Sequence, residues 1–446
     1  MGIADDVVTR GSKPLLPSAD PFYLPPDDSA NAVPGTVLRS RTVEIAQFGL
    51  IPQQVTAWQL LYRSNDLNGA PETAVTTVFL PYGSDPAEPR PLLAFQCAID
   101  AVSEHCFPSY ALRRRARALG SLSQLEWLFV AGALARGWAV TMADHEGMRG
   151  AFGAPREPGY RVLDGIRATL GFDRLGLPPQ TPVVLWGYSG GGMASSWAAE
   201  MAPIYSPELN IAGAALGSPV GDFRAAVMRL NGGWFAGLAL MVIAGLVPLY
   251  PALGAVVDEQ TTPEGLRHLD RAARMNPLAI VMRFARHSVD RYLRTDTLAN
   301  LLARPAMQEM LDDVRLGMHT PACPLLVVQA VHDQIIHVDD VDGQVERYLA
   351  GGARVTYLRD RLSEHGSLMP LSTPLVLDWL AARIAGLPVE ESSTKTVWTV
   401  VTSTPGPRGQ LASAATLLRV LLGRPLRARV RRNALRGSDI GGQRAA

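Results

Sequence analysis

Short runs of apolar and β-branched residues alternate with longer amphipathic stretches along most of the chain. The runs are AVTTVFL (74–80), PLLAF (91–95), GWAVTMAD (137–144), PVVLWG (182–187), IAGAALGS (211–218), PLLVVQAV (324–331) and RVTYL (354–358), and their length and composition predict buried strands. Between several of them lie helical patterns such as SLSQLEWLFVAGALARG (121–137) and TPLVLDWLAARIAG (373–386). Strands alternating with helices predict an α/β fold: a mainly parallel central sheet flanked by helices, with its functional site at the C-terminal ends of the strands.

The alternation breaks in three places, and the breaks divide the chain. Residues 1–40 are Pro-rich and predict an extended arm. Residues 41–219 read as the first part of the core, and 220–320 as helix after helix, the pattern of an inserted helical subdomain. Residues 321–388 resume the strand and helix pattern, and 389–446 read as a linker, SSTKTVWTVVTSTPGPRGQ, joined to a basic amphipathic tail.

Composition narrows the class. Of 446 residues, 47% are hydrophobic and 19% charged, which is the balance of a globular protein, and the length suits one large domain with insertions or two domains. A net charge of +1 offers no bulk attraction to nucleic acid, and no nucleic-acid motif is present. The three cysteines, Cys97, Cys106 and Cys323, lack metal-ligand spacing, and an odd count leaves at least one without an intrachain partner. The N-terminus does not read as a conventional secretory signal, so its compartment is open between cytoplasmic, peripherally membrane-associated and secreted. Leu230 to Val257 carries no charge, but its glycines, Pro248 and Pro251 would interrupt a continuous span.

The chemistry centres on Gly187-Tyr188-Ser189-Gly190-Gly191, which follows a predicted strand and opens a run of helix-compatible small residues. That context is what a nucleophile elbow requires: the turn is so tight that bulk beside the serine would collide with the neighbouring strand and helix. A serine hydroxyl needs a base to take its proton and a carboxylate to orient the base, which on this fold follow in the order serine, acid, histidine. Of the eight histidines, His337 and His365 follow an acid at a strand end beyond Ser189. Asp333, just after PLLVVQAV, is the best acid; Asp339, Asp340 and Asp342 are nearby but not at a strand end. His337 lies too close to Asp333 to approach it from a separate strand. His365, in the loop RDRLSEHGSLMP between RVTYL and the helix TPLVLDWLAARI, is placed where the base belongs. Gly190 offers a backbone N–H to an oxyanion, and the second donor should come from the loop after PLLAF, which reads QCAIDAVSEHCFPSY.

Together with TVLRSRTVEI, LLYRSND, DHEG, VLDGIRA, PELNIAGA, LNGGWFAG and SEH, these motifs resemble the secretory lipases related to Candida antarctica lipase A, an α/β-hydrolase family of fungi and actinobacteria. The resemblance runs from DPFYLPP to about residue 385 and is closest in character to mycobacterial members. It implies a Ser189, Asp333 and His365 triad, an oxyanion hole from the backbone N–H groups of Asp100 and Gly190, a helical lid over an acyl-binding tunnel within 220–320, and triacylglycerol hydrolysis without cofactor or metal. A short-chain carboxylesterase or acyltransferase on the same triad is the rival enzyme reading. A catalytically inactive lipid-binding relative is the rival from another class.

DHEG (144–147) invites a metal assignment, but adjacent residues at a strand end cannot all point at one ion, and a structural role is expected. Cys97 and Cys106 are expected to be packing residues. The lid could meet lipid when it opens, and the tail from Leu411 to Arg436 fits either a helix on an anionic membrane or a solvated segment.

Overall fold

The computed structural model describes residues 13–85, 88–403 and 405–426. Residues 1–12 of the expected arm and 427–446 of the basic tail therefore lie outside the described residues. The strands are β1 (Val37–Thr42), β2 (Ala46–Gln47), β3 (Ile51–Pro52), β4 (Val55–Asn65), β5 (Pro71–Pro81) and β6 (Leu92–Gln96) in the N-terminal part. They continue with β7 (Ala139–Ala143), β8 (Val183–Tyr188), β9 (Ile211–Gly217), β10 (Leu325–Ala330), β11 (Val355–Asp360) and β12 (Ser393–Val397). All but β2 and β3 form one sheet in the order β1-β4-β5-β7-β6-β8-β9-β10-β11-β12.

From β7 to β12 every neighbour is parallel, and β5, β4 and β1 extend the sheet by antiparallel pairing. The chain is an α/β-hydrolase in architecture. Strands β6, β7, β8 and β10 are buried at every residue, as expected where helices cover both faces. Strand order reverses at β6, which lies between β7 and β8, and the carboxyl ends of β6 and β8 pair at Gln96 and Gly187. Such a reversal opens a crevice beyond the strand ends, and that is where a ligand can enter.

The helices before the insertion are α1 (Pro108–Ala111), α2 (Leu122–Leu134), α3 (Glu157–Leu170) and α4 (Gly190–Tyr205). Side chains on β8 alternate between the layers: Trp186 packs on Phe129 of α2, while a Cβ on Gly187 would strike α4. The insertion contains α5 (Phe223–Leu230), α6 (Ala236–Leu246), α7 (Pro251–Gln260), α8 (Pro263–Ala272), α9 (Pro277–Arg283), α10 (Leu298–Leu302) and α11 (Pro305–Asp313). Its uncharged stretch, 230–257, is divided between separate helices, and no described helix is long and apolar enough to cross a membrane. Within the expected helical run 220–320, α9 stops at Arg283, Arg286 takes a positive φ of 60° and the chain continues as a short 3-10 turn at Val289–Tyr292.

The last helices are α12 (Val338–Ala350), α13 (His365–Ile384) and α14 (Gly406–Leu421). The stretch read as a linker is structured. Its Thr394, Thr396 and Val397 belong to β12, a polar edge strand on β11, and Asp360 Oδ2 accepts the Val400 N–H. Phe22 and Tyr23 of the N-terminal arm are buried against Leu61 and Val75, so at least this part of the arm is packed onto the sheet.

Candidate active site

Ser189 stands between β8 and α4 with φ 55° and ψ −123°, a backbone that non-glycine residues rarely adopt. The turn is held by close packing. A Cβ on Gly187 would collide with the Gly191 carbonyl, and one on Gly191 with the Gln96 carbonyl. Only glycine lets β6, β8 and the first turn of α4 approach this closely, and the result is a hydroxyl thrust out above the crevice.

His365 Nε2 lies 3.0 Å from Ser189 Oγ, and His365 Nδ1 lies 2.7 Å from Asp333 Oδ2. Asp333, beyond β10, is buried, and its Oδ1 accepts the N–H groups of Ile335 at 2.9 Å and Ile336 at 2.8 Å. Gln329 Nε2 donates to Oδ2 at 3.2 Å. The carboxylate is thus fixed in place with its remaining lone pairs directed at the imidazole.

The histidine differs from the sequence expectation in one respect: it is the first residue of α13 and not part of a loop. Glu364 caps that helix by accepting the Gly366 and Ser367 N–H groups, while Ser367 Oγ accepts the Glu364 N–H, a closed capping box. Pro370 and Pro374 sit inside the helix, which explains why the sequence pattern suggested a later start. The Tyr188 hydroxyl donates to the His365 carbonyl at 2.7 Å and accepts from Ser218 Oγ at 2.9 Å. Tyr188 therefore braces the histidine as well as shaping the elbow.

The loop after β6 brings Asp100 against Gly190, so closely that a Cβ on Gly190 would strike Asp100 Oδ1. Its φ is 46°, again a position where strain is held at a reactive site. The Asp100 N–H, expected to face an oxyanion, donates here to Glu146 Oε1 at 3.1 Å. What faces Gly190 is the carboxyl of Asp100, whose Oδ1 is buried with no partner. Burial pushes its pKa up to about 7, against a smaller opposing pull from His365.

Three side chains from elsewhere hold this loop, and sequence reasoning gave none of them that task. Glu126 of α2 accepts the Ala98 N–H at 2.8 Å, His145 Nε2 lies 2.9 Å from the Cys97 carbonyl, and Glu146 holds Asp100. Burial raises both glutamates well above the usual carboxylate range and depresses His145 to about 4. Asp144 completes the DHEG segment by accepting from the Ser109 N–H at 2.9 Å and from its hydroxyl. DHEG is therefore a set of inward braces. The one available signal was its position beside a strand end. Among the described residues no group of three His, Cys, Asp or Glu side chains is arranged to hold a metal ion. Cys97 and Cys106 are buried free thiols, with Cys97 Sγ 3.3 Å from Ser123 Oγ.

Comparison with known proteins follows the same lines. The sequence profile of the family described as secretory lipase matches residues 112–392. A protein of Mycobacterium tuberculosis named as a probable inactive lipase is 51% identical, over 94% of this chain and 93% of its own length. A secreted triacylglycerol lipase of Malassezia globosa is 35% identical, over 84% of this chain and 82% of its own. The crystal structure of Candida antarctica lipase A superposes with a TM-score of 0.82 at 25% identity, covering 93% of this chain and 98% of that one.

Proposed function

Since the chain belongs to the secretory lipase family, we propose that it hydrolyses carboxylic esters of lipids, with triacylglycerol as the preferred class, through an acyl-enzyme on Ser189. The observation that carries this reading is the unbroken chain from Asp333 through His365 to Ser189 at 2.7 and 3.0 Å. His365 takes the hydroxyl proton as Ser189 attacks the ester carbonyl, then returns it to the departing alcohol, while Asp333 holds the imidazole in the required tautomer. Water repeats the cycle and releases the acid. The developing oxyanion meets the Gly190 N–H at the start of α4 and the Asp100 carboxyl, which can donate only while it holds its proton.

Helices α5 to α11 serve as the lid. They enclose an apolar cavity lined by Leu240, Ile243, Leu246, Leu253, Leu302 and Met310, the chemistry an acyl chain requires. Exposed Trp234 and Met282 on the same segment would meet lipid on opening.

Two relatives pull in different directions, one named a triacylglycerol lipase and the other a probable inactive lipase. The second reading is therefore a lipid-binding member without turnover. A fluorophosphonate probe, followed by p-nitrophenyl esters of increasing chain length, separates them. Labelling that vanishes in Ser189→Ala, with turnover that rises with chain length, is expected. Turnover confined to short chains would favour a carboxylesterase, and an unlabelled wild type would favour the silent relative.

A further inference from the structure

Helix α14 is amphipathic in the reverse sense. Leu411, Leu418 and Leu422, spaced seven and four residues apart, share one face and are 71%, 58% and 55% exposed. The side turned toward the body carries Gly409, Ser413, Thr416 and Val420, of which only Val420 is large, apolar and buried. A helix that merely packs on a folded core shows the opposite arrangement. Nor is α14 a stray end: Gln410 Nε2 donates to the Leu371 carbonyl at 2.7 Å, Gln53 Nε2 to Val420 at 3.0 Å and Gln54 Nε2 to Gly423 at 3.1 Å. These bonds pin both ends and hold the leucine face outward.

Charge says what covers that face. From Ser392 to Ser438 the sequence holds nine Lys and Arg and no Asp or Glu, so the rest of the chain carries a net −8 against a total of +1. A second copy would set two such cationic segments against each other, and a neutral apolar partner would leave the charge unused. A membrane with anionic headgroups satisfies both features, since arginines can sit among phosphates while leucines enter the acyl boundary. At sixteen residues, α14 is too short to cross such a bilayer and would lie along its surface.

We propose that the outward face of α14, which belongs to an arginine-rich stretch of the sequence, is a docking surface for an anionic lipid bilayer. This surface is separate from the triad and stands whether or not the chain turns over ester.

The test is co-sedimentation of the full chain with vesicles of phosphatidylcholine alone or mixed with phosphatidylglycerol, with light scattering and a fluorescent duplex DNA alongside. Wild type should bind the anionic vesicles selectively, and binding should weaken as salt rises. Neutralising Arg427, Arg429, Arg431 and Arg432 to Gln should weaken it by roughly fivefold per arginine. The triple variant L411Q/L418Q/L422Q, whose residues are each more than half exposed, should lose about tenfold or more. It should keep wild-type hydrolysis of a soluble short-chain ester, and Ser189→Ala should bind vesicles as wild type does, which separates failure here from failure of the esterase reading. The proposal is overturned if wild type ignores anionic vesicles, if it binds neutral ones equally, or if the leucine triple binds undiminished. A dimer that the triple dissolves would assign the face to a second copy, and binding to DNA without binding to vesicles would assign the arginines to nucleic acid; either result overturns the proposal.

Discussion

The loop after β8 and the loop after β6 meet at the point where strand order reverses, yet they are held in different ways. Ser189, Asp333 and His365 are each fixed mainly by residues within a few positions: the glycines of the elbow, the Ile335 and Ile336 amides, and the Glu364 cap. The β6 loop depends on side chains 28, 46 and 48 residues away in sequence, those of Glu126, Glu146 and His145. The first set uses charge-assisted bonds to a carboxylate on a precise local frame. The second uses buried carboxyls whose proton affinity burial raises well above the usual carboxylate range. A loop clamped by buried acids depends on the protonation of each clamp.

The largest expected effect lies on the local side. Ser189→Ala should lower kcat by about 10⁶, as losing a triad nucleophile does, while thermal unfolding stays near wild type. Retained turnover in that variant would remove the triad reading. Asp333→Asn should follow at about 10⁴, since the amide favours the wrong imidazole tautomer.

On the distant side, Asp100→Ala should cost about 10² to 10³ in kcat with little change in KM, the signature of an oxyanion donor. Glu146→Gln keeps an acceptor for the Asp100 N–H and should cost about tenfold or less, and the double variant should lose less than the product of the two. Equal losses from Glu146→Gln and Asp333→Asn would erase the contrast between the loops.

The smallest effect is on stability. Asp100 ionises near 7 in the fold but in the ordinary carboxylate range, near 3.8, when unfolded, so the folded state binds more protons between those values. Its contribution is fully favourable below that window and is lost as pH rises through it. Asp100→Asn should therefore unfold at a temperature close to wild type at pH 4 and at a higher one than wild type at pH 8. A difference that does not grow with pH would mean that Asp100 is not buried as a neutral acid.

The same contrast explains what was legible in the chain. β5 to β11 could be read because each is a compact apolar run, and the triad because its members follow strand ends in a fixed order. β4 was missed because Gln59, Arg63 and Ser64 interrupt its pattern, although all three are buried and Gln59 accepts from Arg41 Nε. β12 was missed because an edge strand can be polar. That Glu126 and Glu146 hold the same loop became visible only once α2 and the DHEG turn were brought against it.

By itself, then, the sequence determined the central strands β5 to β11 and the order in which Ser189, Asp333 and His365 follow strand ends, since periodicity and tight-turn chemistry are local properties of a few consecutive residues. Only the tertiary structure decided that the Asp100 amide is engaged, that its carboxyl faces Gly190, and that the leucines of α14 point outward. Burial and the side to which a helix turns depend on what packs against it from distant parts of the chain, and that packing also sets the proton affinity of a buried acid.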